Sequence, residues 1–423
     1  MRIERRSTER GAVAVLTAVV VGAVLLAILA LSVDVGGMTL ERRQLQNAAD
    51  ATALALAQDC GAGPIDECDP SLLPGVEPLL GDNSWLDAES AFDTSYYPLG
   101  VCARNVAGFI ECDSASETES LSDLAKCPPM PDWLQGDGDV LPYVETYSRT
   151  LNDGSGALLP AFGPDSAATT QVACSRAAWG PAAPATQNII ALTMSQCDWV
   201  AQTGYDITQP PDAQPATFRI EPSPKGPKPG YDSDPNNAIP DWPAAERAVY
   251  SKGNPTSCET SSPGGTAPGG FAWLNSLGGC TAELDDDNWV KTKAGADAVC
   301  TNGQLDAMVG SIIYVPVFDC MAKEIKNPIP NPTTEPNYCR SGVGDNTYYH
   351  VDGFAAFYLS GYFTNNGSHE SVRPPGGYRC GNPDRCLFGW FTKALISPED
   401  ADLVPPGSGG TPDYGLTVVK PAG

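Results

Sequence analysis

Fourteen cysteines, at positions 60, 68, 102, 112, 127, 174, 197, 258, 280, 300, 320, 339, 380 and 386, are the side chains of this 423-residue chain with the most joint chemistry to offer. Zinc would need thiolates or imidazoles in close sets, but no C-x-x-C occurs and the two histidines are too few for the usual mixed sites. An even number of cysteines in a chain of this kind points instead to as many as seven disulfides and an oxidising compartment. The close pairs Cys60/Cys68, Cys102/Cys112 and Cys380/Cys386 are expected as local staples, each worth about 2–4 kcal/mol, and the remaining connectivity stays open.

The other reactive types are scattered. Asp232, Asp234 and Asn236 take the first three oxygen positions of an EF-hand-like loop, but Asn237 stands where the turn glycine belongs and Pro243 where the closing glutamate belongs. A solvated acidic loop is the expected state there, as it is for Asp285, Asp286 and Asp287. Asn366, Gly367 and Ser368 form a glycosylation sequon by pattern alone. His350 falls in an aromatic run and His369 in a polar stretch, and either could act as a base or serve only structure. The chain lacks a G-x-S-x-G elbow, an H-E-x-x-H pair, a Walker loop and a dinucleotide-binding G-x-G-x-x-G. These residues nominate no active site, so the chain is expected not to be an enzyme and to need no cofactor or metal.

With 25 basic and 51 acidic residues the net charge is −26, which would repel a nucleic acid. That charge is uneven: residues 1–10 hold four Arg and two Glu, hence +2, and everything beyond carries −28. Between the two regions, residues 11–33 contain no charge, and their helix of about 34 Å would cross a bilayer. Arg2, Arg5, Arg6 and Arg10 precede this run and Asp34 follows it, so the positive-inside rule places the N-terminus in the cytoplasm and the remainder outside. A cleaved secretory signal ending at Ala30, Leu31 and Ser32 is the competing reading; the apolar run is longer than a typical signal core, which favours an uncleaved anchor.

Within the span, Ala14, Ala18 and Gly22 form a small-residue row that would let a second helix approach closely. Asp34, at the outer end, has Met38 rather than a cation one turn ahead, so it is either solvated among headgroups or paired with another helix. Leu45, Ala48, Ala49, Thr52 and Leu56 recur at three- to four-residue spacing, which predicts a helical extension over 34–58. Gly36 and Gly37 are its weak point, and the Cys60 to Pro64 stretch ends it. Such an alanine-rich helix needs a partner surface, either the protein's own ectodomain or another helix.

Beyond the helix the chain reads as a disulfide-bearing, loop-rich ectodomain, with Gly and Pro numbering 43 and 39. Residues 59–140 form an acidic, cysteine-rich loop region, and 141–208 the first part of the ectodomain. There YVETYSRT (143–150) and TTQVACSRAAWG (169–180) are expected to pair as strands, followed by a short helix over 193–202. Residues 209–243, with ten prolines, are expected to be a linker or long loop. In the C-terminal part, 244–423, the segments at 310–320, 348–364, 386–396 and 414–419 are expected to build one mainly antiparallel β domain.

The head ending at Arg10 and Gly11, the span ending in VDVG (33–36) and the string LQNAADATALA (45–55) resemble the N-terminal module of the Flp (tight-adherence) pilus-assembly TadE/TadG-like family over residues 9–58. VACSRAAWGPA and GFAAFYLSGY are similar to the exported part of actinobacterial members. The resemblance implies a membrane-anchored, pilin-like or accessory component of a surface pilus. Leu16 stands where members cut by a prepilin peptidase have Glu, so it does not imply processing at Gly11. Longer members resemble proteins with a von Willebrand A domain, but neither Asp93-Thr94-Ser95 nor Asp153-Gly154-Ser155 completes a D-x-S-x-S metal motif, and that domain is not expected.

The expected fold is α+β: a single N-terminal transmembrane helix (11–33) behind a basic head (1–10), extended as an amphipathic helix into a mainly antiparallel β ectodomain. The expected partners are the membrane and other pilus-assembly or pilin-like proteins, with self-association through the N-terminal helix, and no nucleic acid. A surface adhesin and a secreted hydrolase are the other two function classes.

Overall fold

The computed structural model describes residues 8–62, 68–82, 90–112, 127–135, 140–150, 171–182, 189–204, 247–252, 273–282, 288–293, 300–323, 339, 347–364, 367–369, 385–398, 403 and 414–422. The Pro-rich stretch 209–243, the EF-hand-like residues, Asp153 to Ser155, Asp285 to Asp287 and Cys380 lie outside them.

One helix, α1 (Thr8–Ala62, 55 residues), governs the architecture. At about 1.5 Å per residue it is roughly 80 Å long. It continues through Gly36 and Gly37, and a Cβ at Gly36 would meet nothing within 4 Å, so no packing contact demands that glycine. In its apolar half the hydroxyls of Thr17, Ser32 and Thr39 donate to the carbonyls of Val13, Ile28 and Val35, one turn back. That satisfies each hydroxyl inside the helix.

Two sheets follow. The first holds β1 (Ser90–Phe92), β2 (Val101–Arg104), β3 (Tyr143–Thr150), β4 (Val172–Pro181), β14 (Ala394–Ile396) and β15 (Leu416–Pro421), in the order β1-β3-β4-β15-β14 with β2 also on β3. The second holds β5 (Met194–Ser195), β6 (Arg247–Lys252), β9 (Trp289–Lys291), β10 (Ile312–Ala322), β11 (Tyr348–Thr364), β12 (Gly367–His369) and β13 (Arg385–Phe391), in the order β5-β10-β11-β13-β6 with β9 and β12 on β11. A hairpin of β7 (Ser276–Gly278) and β8 (Thr281–Ala282) stands apart. Short helices fill the connections: α2 (Leu73–Val76), α3 (Pro78–Asp82), α4 (Gln196–Thr203) and α5 (Asn302–Met308). Pairing is antiparallel apart from β5 with β10 and β14 with β15. The protein is α+β, with a long apolar helix followed by mostly antiparallel, disulfide-bearing sheets.

Burial along β4 explains how the layers stack. Its eight central residues are all buried, because both of its faces are covered. Ala177 packs with Leu56, Val144, Trp179 and Val419 beneath α1, whereas Ala178 and Val418 belong to the larger core shared with Val315, Phe357 and Phe391 of the second sheet. Trp199 of α4 anchors that core, edge-on to Tyr414 at 4.8 Å and to Phe391 at 6.5 Å.

β3 and β4 pair antiparallel from Tyr143↔Ala178 to Arg149↔Val172, matching the sequence expectation. Two expectations differ from the structure. The segments at 386–396 and 414–419 do not stay within one C-terminal β domain: β14 and β15 join the first sheet, with Val419 opposite Trp179. Composition marks a strand but not its partner, and here the partner lies more than two hundred residues away. The region 59–140 is also less irregular than its turn residues suggest. It contains α2, α3, β1 and β2, elements too short for a periodic signal.

Candidate functional site

The long helix divides sharply into a bare half and a docked half. From Val13 to Val35 its large apolar side chains are exposed on every side, Leu16 and Leu26 at 68% and Val35 still at 53%. This uncovered stretch is a candidate membrane span. Ala14, Ala18 and Gly22 lie on it, and a Cβ at Gly22 would touch nothing within 4 Å. Asp34 is in the helix at the end of this stretch.

At Glu41 the helix becomes buried, and at Leu45 it packs on Ala173 of β4. Glu41 is buried, and burial pushes its carboxyl above the usual range. From there Leu45, Ala48, Ala49, Thr52, Ala53, Leu56 and Ala57 are each at most 2% exposed, a single stripe against β3, β4 and β15. The alanines let the backbones approach. The Thr146 hydroxyl donates to the Ala49 carbonyl at 3.1 Å, and Gln46 Nε2 donates to the Cys174 carbonyl at 3.0 Å. The face carrying Leu45, Ala49, Thr52 and Leu56 is thus covered by the same chain's sheet. Burying the two leucines contributes about 1.5–3 kcal/mol each. Cys60 bonds to Cys68 where the helix ends.

Behind this layer lies a buried ion pair. Arg176 Nε and Nη2 donate to Glu145 Oε1 at 2.8 and 2.5 Å, both side chains are fully buried, and Tyr147 donates to Glu145 Oε2 at 2.6 Å. Arg176 Nη1 also donates to the Pro128 carbonyl at 3.2 Å, and its guanidinium lies 5.3 Å from the Tyr143 ring centre. The sulfurs of Cys102, Cys112, Cys127 and Cys174 gather around Glu145 in sets that would suit a metal, but they form the disulfides Cys102–Cys112 and Cys127–Cys174 and offer no thiolate. Cys280–Cys300 and Cys320–Cys339 are bonded as well, Cys197 and Cys386 each belong to a further disulfide, and among the described residues no cysteine is free.

Both histidines are engaged by carboxylates. His350 Nδ1 lies 2.7 Å from Asp319 Oδ1. On the same strand Asp352 accepts from Tyr414 at 2.6 Å and from Gln196 at 3.4 Å, while Gln196 also donates to the Tyr414 oxygen at 2.9 Å. Burial, with the Asp319 charge adding to it, raises Asp352 to about 6, and burial beside Asp352 drives Tyr414 well above its usual range. His369 Nδ1 lies 2.8 Å from Asp306, which also accepts from Tyr362 at 2.8 Å. Hydrogen bonds from His369 and Tyr362 lower the Asp306 carboxyl, and burial beside it raises Tyr362 to about 12. Asp93 accepts from the backbone and hydroxyl of Ser95, which makes it a turn residue. The Glu145–Arg176 pair escaped the sequence reading; its only trace is a charged residue inside each of two strand-like apolar runs.

Residues 11–59 match the family model of Flp pilus-assembly TadE/G-like proteins. That match coincides with α1, bare half and docked half together, and reaches neither sheet. It supports involvement of the chain in Flp/Tad pilus assembly and association with pilus-assembly components. No curated protein and no solved structure matches the chain.

Proposed function

We propose that this protein is a single-pass, non-enzymatic subunit of the Flp/Tad pilus machinery, either a minor pilin-like component or an accessory envelope protein. Its N-terminus is cytoplasmic and its two sheets are extracytoplasmic. The observation that supports this most directly is the division of α1. One end of a continuous helix is wholly apolar and uncovered, while the other is locked to a disulfide-bonded sheet. Such a part presents a membrane-embedded rod for packing against other rods, with the ectodomain carried rigidly on its end. The basic head supports the orientation, and the row Ala14, Ala18 and Gly22 supplies a face on which a second helix, of the same chain or of another pilus protein, would pack closely.

A photo-crosslinking residue at Ala18 of the full chain in intact cells tests the reading. Adducts to spans of pilus-assembly proteins or to a second copy are expected. Adducts to lipid alone would overturn it, because the bare half would then be an anchor and nothing more.

A further inference from the structure

We propose that the uncovered face of α1 pairs with the same face of a second copy of this chain, offset by one heptad so that Arg43 of one copy meets Asp50 of the other. The inference rests on the reading of the bare half of α1 as a membrane span that packs against other spans, and it narrows that reading. The partner is a second copy, and the contact continues beyond the membrane to residue 50.

Helical geometry sets the face. Gly22, Leu29, Gly36, Arg43 and Asp50 follow one another at intervals of seven residues. Seven residues turn a helix to within about 20° of two full turns, so the five fall on one slowly winding stripe. Each lies about 140–180° around the axis from Leu45, and Leu45 packs on the sheet. The stripe is therefore on the side of α1 away from the sheet. Leu29 on it is 59% exposed, and Gly36, Arg43 and Asp50 are exposed as well. A Cβ at Gly22 or Gly36 would meet nothing within 4 Å, so packing within the chain requires neither glycine. Among the described residues neither Arg43 nor Asp50 has an ion-pair partner. Gln46 Nε2, which also donates to the Cys174 carbonyl, donates to Asp50 Oδ1 at 2.9 Å and steadies the carboxylate.

The stripe complements itself at one offset. Two copies inserted the same way run parallel. In register they would set Arg43 against Arg43 and Asp50 against Asp50, bringing like charges together. Sliding one copy by seven residues, about 10 Å, sets Arg43 against Asp50, a guanidinium fork against a carboxylate. At the same offset Leu29 of one copy meets Gly22 of the other, and Leu29 of that other copy meets Gly36 of the first. A glycine opposite each leucine lets the two backbones approach closely. Shared between the copies, the displacement is about 5 Å each. A bare stretch somewhat longer than the hydrocarbon core, with arginines at its head that can snorkel, accommodates a shift of that size.

The full chain, in detergent and in phospholipid vesicles, tests the pair. A photo-crosslinking residue at Asn47, exposed on the same side of α1, should give covalent dimers with adducts near Leu40 and Leu54, seven residues to either side. Arg43→Glu should lower the dimer yield several-fold. Arg43→Glu combined with Asp50→Arg should restore it, yet that exchanged chain should not pair with a differently tagged wild-type chain. An unchanged non-reducing disulfide map checks that each variant is folded. Adducts centred on residue 47, or a dimer unaffected by Arg43→Glu, would overturn the offset pair. A chain that stays monomeric but crosslinks from Ala18 to other pilus-assembly proteins in cells would overturn the pair and leave the proposed function standing. Extraction of the chain from the vesicles by alkali would overturn the span on which both rest.

Discussion

The Thr146 hydroxyl donates to the carbonyl of Ala49 at 3.1 Å, a strand side chain bonded to the backbone of a helix in mid-course. Helix and sheet reach that separation only because Ala49 and its neighbours Ala48 and Ala53 carry nothing larger than a methyl group. The alanine-rich string at 45–55 is a close-packing surface whose partner is the protein's own first sheet.

Ala49→Arg should therefore unfold the docked helix from the sheet. The new side chain would overpack a fully buried site and bring in an unpaired charge, for an expected loss of at least about 3 kcal/mol. Denaturant unfolding of the detergent-solubilised chain would measure it. Wild-type stability in the variant would mean that the helix leaves the sheet without cost, contrary to its burial.

Glu145 and Arg176 should show strong coupling. Removing either partner alone leaves the other charge buried, at a cost of about 3–5 kcal/mol. Glu145→Gln combined with Arg176→Met should cost less than the sum of the single changes. A double-mutant cycle on thermal stability would reveal this, and additive losses would show that the two side chains do not act as a pair.

Stability should decline between pH 4 and pH 6 through Asp352. In the folded protein its carboxyl titrates near 6, above its ordinary value of 3.8, so the native state holds a proton there that the unfolded chain has released. The contribution is present in full below the ordinary value and is lost as pH rises through about 6. The surrounding groups set its size: Asp319 raises the carboxyl further, whereas the Tyr414 hydroxyl and His350 oppose the shift. Asp352→Asn should flatten this part of the stability profile, and a profile identical to wild type in this window would assign the decline to other groups.

Much of this protein is legible from local pattern alone. An uncharged run of 23 residues announces a candidate membrane span, because lipid demands apolar side chains and an internally bonded backbone. The three- to four-residue spacing of Leu45, Ala49, Thr52 and Leu56 announces one buried helical face, and Tyr143–Thr150 and Tyr348–Thr364 read directly as strands. What covers each surface was decided by the tertiary structure. The stripe on α1 suited a neighbouring helix as well as a sheet, and only the placement of β3, β4 and β15 settled that it is covered in cis. The strand at Leu416–Pro421 carried no mark that its partner was Val172–Pro181, and Glu145 and Arg176 gave no sign that they would meet in a dry interior. Side-chain periodicity records how much of an element is buried. Which distant segment buries it depends on how the whole chain closes, and that depends on contacts separated by hundreds of residues.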